Sequence, residues 1–185
     1  NKMKITKIHA REIFDSRGNP TVECEMMFEG ITYPFRGMVP SGASTGKFEA
    51  LELRDGDKAR MSGKGVLKAV SNVNEQIKPN ILNKSFSNYS DFDNYLISLD
   101  GTENKSKYGA NSILSLSLAY YKAWSYKSYG AVFLSQGTDR LTIPVPMLNV
   151  INGGQHADND VDFQEFMILP IGFNSLTEAL SATHG

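Results

Sequence analysis

An α+β fold is predicted for this 185-residue chain: a three-stranded antiparallel meander, then helices. Three observations carry that expectation. Apolar and polar residues alternate between Lys4 and Val39, the period of strands with one buried face. From Val66 onward the apolar spacing changes to three and four, the period of a helix. Near residue 140 the pattern turns strand-like again, as though a second and larger element were opening.

The elements follow in order. Ile5–Ile13 reads as the first strand, with Asp15-Ser16-Arg17-Gly18-Asn19-Pro20 as its connection. Val22, Cys24, Met26 and Phe28 alternate with Glu23, Glu25 and Met27 in the second. Glu29-Gly30 is a turn, and Ile31, Tyr33 and Phe35 alternate in the third. Val66, Leu67, Val70, Val73 and Ile77 lie on one helical face that stops before Pro79. Ser90 is positioned to cap a short helix through Phe92, Leu96 and Leu99, ended by Asp100-Gly101. Residues 109–127 form the longest helix, apolar nearly all round and therefore expected to be buried. Thr142–Ile151 and the stretch VDFQEFMILP read as strands, and a helix starts around Leu176–Ala182.

Composition bounds the function. A length of 185 residues suits one domain and a part of another, on a prior of roughly 100–200 residues per domain. The chain is 41% hydrophobic, enough for a core, and its net charge of −1 draws it to neither nucleic acid nor an anionic membrane. No apolar run approaches the roughly 18 residues of a membrane span. The opening NKMKITKIHARE lacks the apolar stretch of a signal peptide, and Met3 reads as the native start. Cys24, the single cysteine, can form no internal disulfide and no metal site alone, which fits a cytoplasmic location.

Candidate chemistry lies in three loops. PSGASTGKFEALELRDGD at 40–57 resembles a phosphate loop at first sight. Gly42 and Gly46 have only three residues between them, and Phe48 stands where a magnesium-binding hydroxyl belongs. A nucleotide-binding reading fails on both counts, leaving a small-residue loop with Ser41, Ser44 and Thr45. Asp158, Asp160 and Asp162 imitate the start of a calcium loop. Phe163 and Leu169 occupy the positions that need Gly and Glu, so a solvated acidic turn is the better reading. His156 sits in a glycine-rich loop just before a strand. Gln164 and Glu165 interrupt that otherwise apolar strand. A carboxylate buried there would be costly to ionise, a feature of active sites. Adjacent strand residues face opposite ways, so both can serve one pocket only near a strand end or a bulge. No Ser–His–Asp set, HExxH, CxxC or aromatic-basic stripe is present.

Five blocks of sequence resemble the enolase family (phosphopyruvate hydratase) in order and spacing. They are AREIFDSRGNPTVE at 10–23, VPSGASTGKFEALELRDGDK at 39–58, GKGVLKAVSNVN at 63–74, LDGTENKSKYGANSILSLSLA at 99–119 and PVPMLNVINGGQHADNDVDFQEFMILPIG at 144–172. The resemblance implies an enolase N-terminal domain over 3–140, the three-stranded meander with its helices. An α/β barrel would start over 141–185, represented by its first strands only. It implies magnesium-dependent dehydration of 2-phosphoglycerate to phosphoenolpyruvate in glycolysis, by a homodimer or a higher oligomer. His156 and Glu165 would be catalytic. Gly42, Ala43, Ser44, His156, Gln164 and Glu165 would bind substrate, Ser44 would also bind Mg2+, and Arg11, Arg17 and Glu23 would lie at the dimer interface.

The family's lysine base, its main acidic residue and the carboxylate ligands of its first magnesium have no counterpart here. The 185 residues alone are therefore expected to be inactive. Residues 130–144 depart from the family's usual proline-led helix, and Gln155 lies in a variable loop. An alternative of another class is a non-catalytic relative that acts as a binding or dimerisation module. Val145, Leu148, Val150, Phe166 and Ile168 are expected to expose apolar surface for want of neighbouring strands.

Overall fold

The computed structural model describes residues 2–42, 46–130 and 142–184. They fall into two compact units, the first reaching to residue 130 and the second starting at 142. The expected boundary at 140/141 lies outside the described residues.

In the first unit the meander is present as β1 (Met3–Phe14), β2 (Pro20–Phe28) and β3 (Phe35–Met38). Both pairings are antiparallel, with Ala10 opposite Cys24 and Cys24 opposite Gly37. The first connection is built by Asp15, whose Oδ1 accepts from the backbone N–H of Arg17 and of Asn19, each at 2.9 Å. That is the local turn chemistry an Asp supplies. β3 resumes only at Phe35, later than the alternation suggests. Pro34 has no N–H to give a ladder, so residues 31–34 stay outside the sheet.

Two corrections concern what lies around the sheet. Its order is β3-β2-β1-β4, because the two-residue strand β4 (Ser85–Phe86) pairs with Met3 and Lys4. Two residues have no period to read, and this one is recruited only by the edge it covers. The helix after Val66 does not stop before Pro79. It runs as α1 (Leu67–Ser71), a π-helical stretch Asn72–Ile77, and α2 (Lys78–Ile81) with Pro79 inside it. A widened π turn shifts the hydrogen-bond pattern and accommodates a residue without an N–H. The same stretch carries Asn74, whose Oδ1 accepts from Ala10 N (2.8 Å) and whose Nδ2 donates to Ala10 O (3.0 Å). Asn74 thus stands in for a strand along β1 and satisfies both backbone groups.

Helix α3 (Tyr89–Asp100) is capped by Asn88 rather than Ser90. Asn88 Oδ1 accepts from Asp91 N at 2.8 Å. Helix α4 (Ala110–Tyr129) ends at Gly130, which takes the left-handed conformation. It is not buried all round. Ser112, Ser115, Ala119 and Ala123 are buried, whereas Leu114, Tyr126 and Tyr129 are exposed. Small residues face inward because backbone meets backbone: a Cβ on Gly37 of β3 would lie 1.9 Å from Ser115 O. The core between sheet and helices holds Ile5, Ile8, Val22, Met26, Val73, Ile77, Leu116 and Tyr120. Phe92 of α3 stacks on Tyr120 of α4 at 4.3 Å between ring centroids. Cys24 is buried among them, and desolvation pushes its thiol up to about 12, which makes it inert packing.

The second unit is a hairpin, β5 (Leu148–Asn152) antiparallel to β6 (Glu165–Ile168), followed by α5 (Leu176–Ser181). Both strands are shorter than the apolar runs that foretold them. Pro144 and Pro146 fall before β5, where no ladder bond is needed. Ser175 caps α5, its Oγ accepting from Glu178 N at 3.2 Å. Val145, Val150, Phe166 and Ile168 are exposed and Leu148 partly so, as expected. Among the described residues no helix is long and apolar enough to cross a membrane.

Candidate functional site

The candidate residues of the second unit lie at one end of the hairpin. Pairing continues past the strands, with Gly153 N donating to Gln164 O (3.0 Å) and Gly154 N to Val161 O (2.7 Å). Only glycine fits at 153, since a Cβ would lie 2.4 Å from both Phe163 O and Val161 O. Gly154 has φ +55, and His156 N then donates to Gly153 O (3.0 Å), closing a short turn. The turn brings His156 against Gln164, with their Nε2 atoms 2.6 Å apart. Glu165, the first residue of β6, stands opposite Asn152. The strand-end condition for Gln164 and Glu165 is met, because Gln164 precedes the ladder.

The desolvation expected of Glu165 is not found. All of β6 is exposed, so the apolar run marks a surface strand in this chain rather than a dry one. The acidic turn is solvated: Asp158, Asp160 and Asp162 are exposed. Asn159 ties it to β5 by donating to Asn152 O at 3.0 Å. Among the described residues no three His, Cys, Asp or Glu side chains converge as a metal cage.

In the first unit, Ala43, Ser44 and Thr45 lie outside the described residues, so the loop is seen only at its root. Gly42 and Arg17 line one small recess with Asn19, Ser41, Glu52 and Arg54. Arg54 is the hub. Its Nη2 donates to Ser41 Oγ (2.9 Å) and pairs with Glu52 (2.5 Å), while Nη1 donates to Lys64 O (2.6 Å) and to Pro20 O. Ser41 Oγ in turn donates to Glu52 Oε1 at 3.1 Å. Glu52 and Arg54 were missed as site candidates. The signal for them was the alternation of charge and leucine in LELRD directly after the loop.

That run continues into a part-buried ion network. Asp55 accepts from the first amides of α1, Leu67 N (3.0 Å) and Lys68 N (2.8 Å). Arg60 bridges Asp55 to Glu12 of β1, and Glu12 also accepts from Val66 N at 2.9 Å. The Arg60 guanidinium, hydrogen-bonded to it, holds the Glu12 carboxyl below the usual carboxylate range.

The residues expected at a dimer interface divide. Arg11 and Glu23 are cross-strand neighbours paired within this chain at 2.5 Å, and Arg11 also reaches Glu25 at 3.5 Å. Arg36 of β3 extends the ladder to Glu25 at 3.3 Å. Arg17 is exposed on the connection before β2 and stands apart from this ladder.

Comparison with known families agrees with this architecture. The family model described as "Enolase, N-terminal domain" matches residues 5–133, well over half of the chain. The one described as "Enolase, C-terminal TIM barrel domain" matches residues 140–184. With its meander and helices matched by the first model and its hairpin by the second, the chain belongs to the enolase family.

Proposed function

We propose that this chain serves the enolase reaction, the dehydration of 2-phosphoglycerate to phosphoenolpyruvate, in the cytoplasm and as a homodimer. The observation that carries the reading is the contact of His156 with Gln164 at one hairpin end, with Glu165 next along β6, in a chain of this family. An imidazole, an amide and a carboxylate together can hold a small polyanionic substrate by its oxygens and move a proton. Glu165 is assigned the side of the leaving hydroxyl, where a carboxyl can deliver the proton that water formation needs. Gln164 donates to the substrate's hydroxyl side, and His156 covers the phosphate side. Gly42, Ala43 and Ser44 are assigned to substrate, and Ser44 to magnesium, by resemblance alone.

Magnesium would supply stabilisation of the charge that develops on the substrate in this reaction. The described residues do not by themselves build a cage for it. The lysine base and the first-magnesium carboxylates that the resemblance implies have no counterpart among these residues, and on that ground we infer that the 185 residues alone give no turnover. Protein as its source makes it, assayed with 2-phosphoglycerate and magnesium, is expected to form phosphoenolpyruvate, and the isolated 185-residue chain to form none. Turnover by the isolated chain overturns the second statement. Its absence from the source protein overturns the first.

A second reading, a non-catalytic binding or dimerisation module, is favoured by one feature, the charge ladder Arg11–Glu23–Glu25–Arg36 on the sheet. An intact mass near 20.4 kDa for the inactive source protein supports that reading.

A further inference from the structure

We propose that Gln164 is a positioning residue that holds His156 in the Nδ1–H tautomer. Gln164 Nε2 faces His156 Nε2 at 2.6 Å. An amide nitrogen only donates, so the ring nitrogen it faces must carry the lone pair, and the imidazole proton then sits on Nδ1. The contact is built by the backbone. Gly153 N bonds Gln164 O, Gly154 N bonds Val161 O, and His156 N bonds Gly153 O. These three bonds fix the two side chains' attachment points on the same hairpin end. The lack of space for a Cβ at Gly153 and the positive φ of Gly154 give both glycines of NGGQH a reason in this one geometry.

The chemical consequence is a fixed hydrogen-bond donor. With Nε2 occupied by the amide, the free ring nitrogen of neutral His156 is Nδ1–H. It meets a ligand as a donor and not as a base. The ligand chemistry that fits is an anionic oxygen, phosphate or carboxylate. This role rests on the proposed placement of His156 at substrate. The tautomer itself does not.

Long-range proton–nitrogen NMR of the whole chain tests it, at a pH where the imidazoles are neutral. The chain has three histidines, His9, His156 and His184, and His156→Phe identifies the signals of His156 by their loss. In the unsubstituted chain the Nδ1 of His156 is expected to be pyrrole-like and Nε2 pyridine-like. Gln164→Glu, nearly isosteric, should reverse the pattern, because a carboxylate only accepts and calls the proton to Nε2. Gln164→Leu should release the ring toward the Nε2–H form that imidazole favours in water. A proton on Nε2 in the unsubstituted chain overturns the proposal. So does an Nδ1–H pattern that survives both Gln164 substitutions. If the tautomer behaves as expected and the source protein has no enolase activity, only the substrate placement falls.

Discussion

The two units of this chain are held by different forces. Residues 2–42 and 46–130 form a sheet packed on helices, with a dry core in which Phe92 and Tyr120 stack, and with an ion network at its part-buried margin. Residues 142–184 form a hairpin whose strand side chains are almost all exposed. Its geometry comes from backbone pairing and from two glycines. The first unit illustrates burial as the source of stability, and the second shows local backbone geometry placing the candidate side chains without a core. A two-stranded ladder is marginal alone in water, so the candidate site sits on the less stable of the two frames.

The largest expected effect would sharpen that contrast. Phe92→Ala should cost about 4 kcal/mol of unfolding free energy, the usual loss for a buried aromatic. Phe166→Ala, on the exposed strand β6, should cost less than about 0.5 kcal/mol. Chemical denaturation reads both, followed by the fluorescence of Trp124 for the first and by the backbone amide NMR signals of β6 for the second. Comparable losses at the two positions would break the distinction between a core and a surface hairpin.

A smaller effect tests the charge network of the first unit. Glu12→Gln weakens the bonds to Arg60 and Val66 and should cost about 2 kcal/mol at neutral pH, as for hydrogen bonds to a charged group. The pH dependence has a definite sign. The Glu12 carboxyl is held below its ordinary value by Arg60. Its contribution is present above the unfolded carboxylate range of about 4 and is lost as pH falls through the lower folded value. Asp93 behaves oppositely. Burial raises its carboxyl, with Ser117 opposing, so the cost appears as pH rises through the folded value. Asp93→Asn should therefore stabilise slightly at neutral pH and lose that gain in acid. Denaturation midpoints measured across the acid range check both signs.

The smallest effect on global stability is expected from Gly153→Ala. The added methyl strikes two backbone oxygens of the 161–163 stretch. It should abolish the cross-strand NMR contacts between Asn152 and Glu165 while leaving the unfolding of the first unit unchanged. Persistence of those contacts would show that the turn does not depend on that glycine.

Much of this was legible in the residues. The period-two runs around Cys24 and the helical spacing from Val66 gave strands and helices because each element has to bury one face. The Asp100-Gly101 stop was readable because a left-handed cap favours glycine. Asn88 lost out to Ser90 because both residue types can cap, and only the path of the chain decides between them. The continuation through Pro79 was unreadable because π turns leave no apolar signature. At the candidate site, His156, Gln164 and Glu165 were singled out by residue type. Arg54 and Glu52 were not, since a charge in a loop looks the same whether it faces water or ties three segments together.

What the sequence determined by itself is therefore most of the strands and helices, the family and the residue types of the candidate site, all carried by local periodicity and by words of sequence. Only the tertiary structure decided that β4 extends the sheet, that Asn74 stands in for a strand and that Gln164 meets His156. Those contacts join residues 8 to 83 positions apart. Their partners are chosen by where the chain returns in space, which no local pattern encodes.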